Sequence, residues 1–490
     1  MKNILVLFLI VIALVGCNNQ RFEELQKNPN NPTTAAPINI LQGVIIDSWE
    51  KPWDDESKYS QYWATGYKIY GHQNYMFGSY AMNYNQLRNV NQTLVEAKRN
   101  GSDVLKPFFP IAKYFQAYFF IRMSERLGDV PMSEAMKGAT EGNFTPKFDT
   151  QKDVYVNALK LLEEANTEIV QYTDKYSLGN DLYYGGDLKK WQKAINTFHL
   201  RVLMSLSKRT SEVDVIAQFK AIIENPTKYP IMESNQDNMQ IVYPGNTNDR
   251  YPVYPDETAQ NKQRNAITET YISILRRTQD PRIFRQMEPG DKINVGIAGR
   301  EKMFSSFIGA NSGDDMTVIA MGLNTSQYAT IKYSLYVTPK GIPTVQLGYP
   351  ELQFTIAEAA NRGWITENAA THYNLGVEAD MKFYDVSTTE IQEFISRNAY
   401  IGNTPGGLTQ ILEQKYVAFF QNSGYQPFFE QRRTGVPTFN VGAGNDNGKI
   451  PVRWMYPDNE RNYNATNLTE ALQRQFGGSD NINDKMWLIK

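Results

Sequence analysis

A mainly α-helical protein is what this sequence predicts, interrupted by a long, irregular, loop-rich insertion and carrying few short strands. Three observations predict it. Long segments repeat apolar residues every three to four positions, which is the helical period. Such segments recur in pairs across short turns, near both ends of the chain. Between them, over about residues 233–349, the chain is rich in Asn, Gly, Pro and Tyr and loses its period.

Helical pattern runs from Leu87 to Lys98 and from Pro110 to Leu127, where Ile111, Phe115, Tyr118, Arg122 and Met123 fall near one face and Gly128 supplies a stop. The stretch FDTQKDVYVNALKLLEEANTEI opens on Asp149 as N-cap, with Thr150 and Asp153 at capping-box spacing. Its apolar stripe is Val154, Ala158, Leu161, Ala165 and Ile169. In WQKAINTFHLRVLMSLSKR, the residues Trp191, Ile195, Phe198, Val202 and Leu206 share a face. Past the insertion, YPELQFTIAEAANRGW, the HYNLGVEADMKFY segment and GGLTQILEQKYVAFFQ give three more helices. Leu408, Ile411, Lys415 and Phe419 lie on one side of the last. Pairs joined by short turns suggest a tetratricopeptide-like scaffold without its strict repeat consensus. The insertion holds short strand-like pieces such as IKYSLYV. An irregular stretch of that length is costly to order and usually functional. The tail, residues 436–490, reads as loop-rich.

The N-terminus carries a separate signal. Lys2 leads into an apolar run, Ile4 to Val15, of about a dozen residues, short of the roughly 20 that span a bilayer core. Leu14-Val15-Gly16-Cys17 follows, holding the single cysteine of the 490-residue chain. It matches a bacterial lipobox, so residues 1–16 read as a lipoprotein signal peptide and Cys17 as the lipidated first residue. An ordinary secretory signal with an incidental cysteine is the competing reading. One cysteine allows no internal disulfide, so stability rests on packing. Residues 17–37, polar and rich in Pro and Asn, read as a tether, with the folded body at 38–490.

Charge gives no case for nucleic acid: 50 Lys and Arg stand against 52 Asp and Glu. No chemistry-bearing constellation stands out either. The three histidines, His72, His199 and His372, make no metal spacing, and His199 reads as a packing residue. Glycines 442, 444 and 448 lack phosphate-loop spacing and read as a flexible loop. Asp314-Asp315 reads as a solvated turn rather than a Ca²⁺ site. Carboxylates are plentiful, but nothing singles out a glycosidase pair. No catalytic residue, metal or cofactor is therefore expected. What remains is aromatic content of 12%, led by 30 Tyr. From Tyr59 to Tyr84 a ring recurs every two or three residues among Asn, Gln, Gly and Ser. Rings stack on the apolar faces of sugars, while amides bind their hydroxyls. The part before Gly71 fits a helix with rings turned to the core; the part after it lacks a period and fits a loop.

Six blocks, in order, resemble the SusD/RagB-like outer-membrane lipoproteins. They are NYNQLRNVNQTLVEA; GDVPMSEAM at Gly128–Ala135; the helix through Trp191, Asn196, Leu200 and Arg201; the helix through Glu351, Ala357, Glu358, Ala359 and Trp364; FFEQRRTGVP with Arg433, Gly435 and Pro437; and IPVRWMYPDNERNYNATN. Phe429 stands where many relatives carry Trp, and WATGYKIYGHQNYMFGSY matches no fixed family pattern. The resemblance implies a lipid-anchored outer-membrane protein facing the cell exterior. It implies capture of an oligosaccharide, in some members a peptide, and delivery to a SusC-like TonB-dependent transporter. A lipid-anchored glycosidase is the enzymatic alternative. Tyr70, Tyr75, Phe77 and Tyr80 are the expected stacking platforms, with Asn74 as polar partner and Phe304 and Phe307 as a second set.

Overall fold

The computed structural model describes residues 34–67, 75, 77–445 and 448–490. The signal segment, Cys17 and most of the tether lie outside the described residues, as do Tyr70 and Asn74. Among the described residues no helix is long and apolar enough to cross a membrane.

The periodic segments form helices where their caps place them. Helices α1 (Pro37–Ser48), α2 (Tyr84–Asn100), α3 (Phe108–Leu127), α4 (Gln151–Ile169), α5 (Leu188–Ser205) and α6 (Val215–Glu224) make the first block. Each packs on its predecessor through its apolar stripe. Trp191 is fully buried in α5 and donates its indole N–H to Asp181 Oδ2 at 3.2 Å. The N-cap of α4 is Thr150 rather than Asp149: the Thr150 hydroxyl accepts from the Asp153 N–H. Asp149 instead accepts the N–H groups of Met132 and Ser133, at 2.7 and 2.9 Å, fixing the turn after α3. Gly128 ends α3 at φ 100°, and a Cβ there would lie 2.1 Å from Gln475 Oε1, which accepts the Asp129 N–H. Only glycine serves at that point.

The insertion holds α7 (Glu269–Thr278), α8 (Met316–Asn324) and several shorter helices. Then come α9 (Tyr349–Asn361), α10 (Ala369–Phe383), α11 (Thr388–Arg397), α12 (Pro405–Ala418) and α13 (Gln426–Thr434), with α14 (Ala465–Phe476) in the tail. The tail is thus less loop-like than its composition suggests, because Asn464 and the apolar Leu468, Ala471 and Leu472 support a helix. Helix α9 packs on α5, joining the two helical blocks directly.

Among the described residues the strands form three two-stranded antiparallel sheets. These pair β2 (Met239–Ile241) with β6 (Thr344–Leu347), β1 (Trp63–Thr65) with β3 (Asn265–Ile267), and β4 (Met287–Glu288) with β5 (Thr330–Ile331). The first pair closes the neck of the insertion, so ordering its long excursion does not rest on side chains alone. The second pair stitches the insertion to the aromatic N-terminal segment. Expectation and structure also part in two shorter segments. IKYSLYV contributes only β5 before turning into a short helix, Tyr333–Tyr336. The aromatic segment is helical only over Asp55–Tyr59, then runs into β1.

Candidate ligand-binding site

The segment from Lys51 to Trp63 faces residues Pro252–Asn265 across a cleft of about 680 Å³. Trp53 anchors its floor in a left-handed backbone conformation, φ 67°, uncommon for a bulky residue and costing on the order of 1–3 kcal/mol. Three contacts hold it there. Its N–H donates to Gln421 Oε1 at 2.7 Å, its indole N–H to the Tyr251 hydroxyl at 2.9 Å, and its ring sits 4.7 Å from that of Trp63. Tyr59 lies half-buried on the wall. Burial, then the charges of Asp55 and Asp54, raise its phenol pKa, so it stays a neutral hydroxyl.

The carboxylates of the cleft are committed to building it. Asp54 accepts the Asp55 N–H at 2.9 Å, and Asp55 pairs with Lys58 at 2.6 Å. Asp256 accepts the N–H groups of Gln260 and Asn261 and the Tyr333 hydroxyl, at 2.7, 3.1 and 2.7 Å. Arg264 lies 4.4 Å over the ring of Tyr67, which is 44% exposed on the same strand pair. A second cleft of about 400 Å³ lies between α2, α3 and α4, lined by Leu87, Phe120, Leu161 and Met136. It offers one largely buried ring, whereas the larger cleft combines ring faces with hydrogen-bonding groups, which is what a polar, flat-faced ligand needs.

The expected platforms fall elsewhere. Tyr75 is 1% exposed, with its ring against Tyr59 at 5.4 Å and its hydroxyl donating to the Tyr59 carbonyl. Phe77 is buried and stacked on Trp454 at 3.9 Å. Both are therefore packing residues, because a loop that closes over its own rings removes them from solvent. Tyr80 is half-buried with its face taken by the Arg126 guanidinium at 5.1 Å. Phe307 is fully buried, and Phe304 packs on Phe284 at 4.7 Å against the same main core. None of these five lines the cleft. Tyr75 does bear on the site from behind, as the ring on which Tyr59 rests. Sequence reasoning missed Trp53, Asp256 and Asn265. The proline-flanked runs KPWDD and YPVYPD around the first two were the available signal.

The block residues of the sequence fall in a buried seam instead. Arg201 of α5 grips Glu351 of α9 with two hydrogen bonds, at 2.6 and 2.5 Å. Arg433 of α13 grips Glu358 of α9 at 2.6 and 2.8 Å and also binds Glu430, which pairs with Lys415 at 3.3 Å. Burial alone would raise the Glu358 carboxyl. Arg433, Lys415 and Arg362 outweigh it and hold that carboxyl well below the usual range. His199 packs as expected, 3% exposed, with both ring nitrogens unpartnered and its pKa pushed by burial down to about 4. Glycines 442 and 444 are docked, their backbone pressed against residues 313–315, where a Cβ would meet backbone oxygens at 2.4 and 2.0 Å. Among the described residues no three His, Cys, Asp or Glu side chains gather as for a metal.

Comparison with known proteins gives this architecture its place. The model of the SusD-like family, described as starch-binding and associating with the outer membrane, matches residues 27–457. The chain belongs to the SusD-like family. A SusD homologue of Bacteroides fragilis is 30% identical and superposes with a TM-score of 0.85, over 93% of this chain and 100% of its own. A second homologue from the same species is 29% identical, with a TM-score of 0.82 over the same shares. A chitin-binding protein at 24% identity and TM-score 0.74, over 92% of this chain and 99% of its own, shares the fold. Comparison with curated proteins gave no match.

Proposed function

We propose that this protein captures an oligosaccharide in the cleft between Lys51–Trp63 and Pro252–Asn265 and delivers it intact to a SusC-like TonB-dependent transporter. Lipid on Cys17 and the tether after it hold the body at the outer face of the outer membrane. The observation that carries the reading is the cleft itself: half-buried ring surface from Trp53 and Tyr59, bordered by amides and carboxylates, on a rigid scaffold. The same geometry argues for capture over catalysis. Asp54, Asp55 and Asp256 each hold the cleft's own backbone or side chains, whereas a glycosidase needs two free carboxyl groups flanking the scissile bond.

The deciding experiment is calorimetry of the chain beginning after Cys17 against glycan and peptide panels, with product analysis. Saturable glycan binding without cleavage is expected. Cleaved product would establish the glycosidase alternative, and binding of peptides alone would move the protein to the peptide-capturing branch of the same architecture.

A further inference from the structure

One side-chain oxygen in the cleft has no hydrogen-bond partner among the described residues. Asn265, the first residue of β3, is 6% exposed and lines the cleft beside Trp63. Its Oδ1 is buried with no hydrogen-bond partner. Of the buried unpartnered side-chain atoms among the described residues, it is the one that also lines this cleft. A buried amide without partners is costly and calls for an explanation. Half a turn about the Cβ–Cγ bond exchanges its donor and acceptor ends, so a ligand entering the cleft meets either one.

The charges around it are also one-sided. Lys58 is spent on Asp55 at 2.6 Å. Among the described residues Asp256 is held by neutral N–H and O–H donors and Asp54 by a backbone N–H, so each wall keeps a carboxylate that no described cation answers. Lys51 is the lining cation without a carboxylate partner among the described residues, and it lies 5.7 Å over the Trp49 ring. A ligand bearing its own carboxylates or sulfates would meet net repulsion in a partly dry cleft, while hydroxyls and amines would find acceptors.

We infer that Asn265 is a ligand-contacting, specificity-determining residue, and that the cleft takes neutral or amine-bearing glycans in preference to acidic ones. This rests on the glycan-capture reading above and names its substrate class. The test is calorimetry of the mature chain with three sets of probes: neutral hexasaccharides of glucose, mannose, xylose and N-acetylglucosamine; chitosan hexamer; and hexagalacturonate. Asn265→Leu, Asn265→Asp and Asp54→Asn are compared with the parent.

Binding of a neutral or amine-bearing probe at least tenfold tighter than hexagalacturonate is expected. Asn265→Leu should weaken that binding tenfold or more while the thermal midpoint holds or rises, since no internal hydrogen bond is lost. Asn265→Asp should favour chitosan over neutral probes, and Asp54→Asn should narrow the gap to hexagalacturonate. Preferred binding of hexagalacturonate would overturn the substrate class while leaving glycan capture standing. Unchanged affinity in both Asn265 variants would overturn the residue's role. Absence of binding by every glycan would overturn this inference together with the capture reading.

Discussion

The seam between α5, α9 and α13 and the cleft beside β1 and β3 are built from the same residue types to opposite ends. In the seam, acids and bases pair with one another: half-buried Arg201 with buried Glu351, and buried Arg433 with buried Glu358 and Glu430. In the cleft, the Asn265 side-chain oxygen has no partner among the described residues and Trp53 is held in a costly backbone conformation. Satisfied buried charges fix one arrangement of helices, because any other leaves an ion unpaired. Unsatisfied groups beside half-buried rings leave interaction energy available to a ligand. The seam carries three of the six blocks by which the chain resembles its family, so those three mark a scaffold. The cleft lies largely outside them, so its lining can vary without disturbing the seam.

The harshest way to break the seam is Arg433→Met, which leaves Glu358 with Arg362 and Glu430 with Lys415 as their remaining cations. A stability loss of roughly 3–5 kcal/mol is expected in urea unfolding, with the glycan affinity of the folded fraction unchanged. A matching loss of affinity at full folding would mean that the seam and the cleft are coupled. Tyr75→Ala comes next, because it empties a buried ring site behind the cleft. It should cost roughly 3 kcal/mol, in line with other large buried rings. Were it to leave stability untouched and weaken binding alone, Tyr75 would belong to the ligand surface after all.

Tyr59→Ala separates the two regions most cleanly. Removing one half-buried stacking face should weaken glycan binding about tenfold, an aromatic contact of this kind contributing up to about 1.5 kcal/mol, with a smaller effect on unfolding. Acid is the mildest probe. The Glu358 carboxyl is held below its ordinary value of 4.5, burial being outweighed by Arg433. Its contribution is therefore fully present above that value and lost as pH falls through the lower, folded-state pKa. Unfolding midpoints should decline below about pH 4.5 in the parent, and that decline should flatten in Glu358→Gln.

Much of this molecule was legible in its sequence, for reasons tied to particular residues. Helix periodicity is local: of the stripe Val154, Ala158, Leu161, Ala165 and Ile169, all but the half-buried Leu161 are buried. Gly128 was readable as a helix stop, although only its neighbour Gln475, far along the chain, explains why no other residue serves. The aromatic run from Tyr59 was legible as a cluster of rings, but which faces stay open was not. Tyr75 and Phe77 are covered by Tyr59 and by Trp454, the latter remote in sequence, and the cleft is completed by Asp256 and Asn265 from the insertion. By itself the sequence determined the helical class, the family and the absence of disulfides, because these depend on residue identity and spacing along the chain. Only the tertiary structure decided which rings and amides face solvent, because exposure is set by what distant segments bring to pack against them.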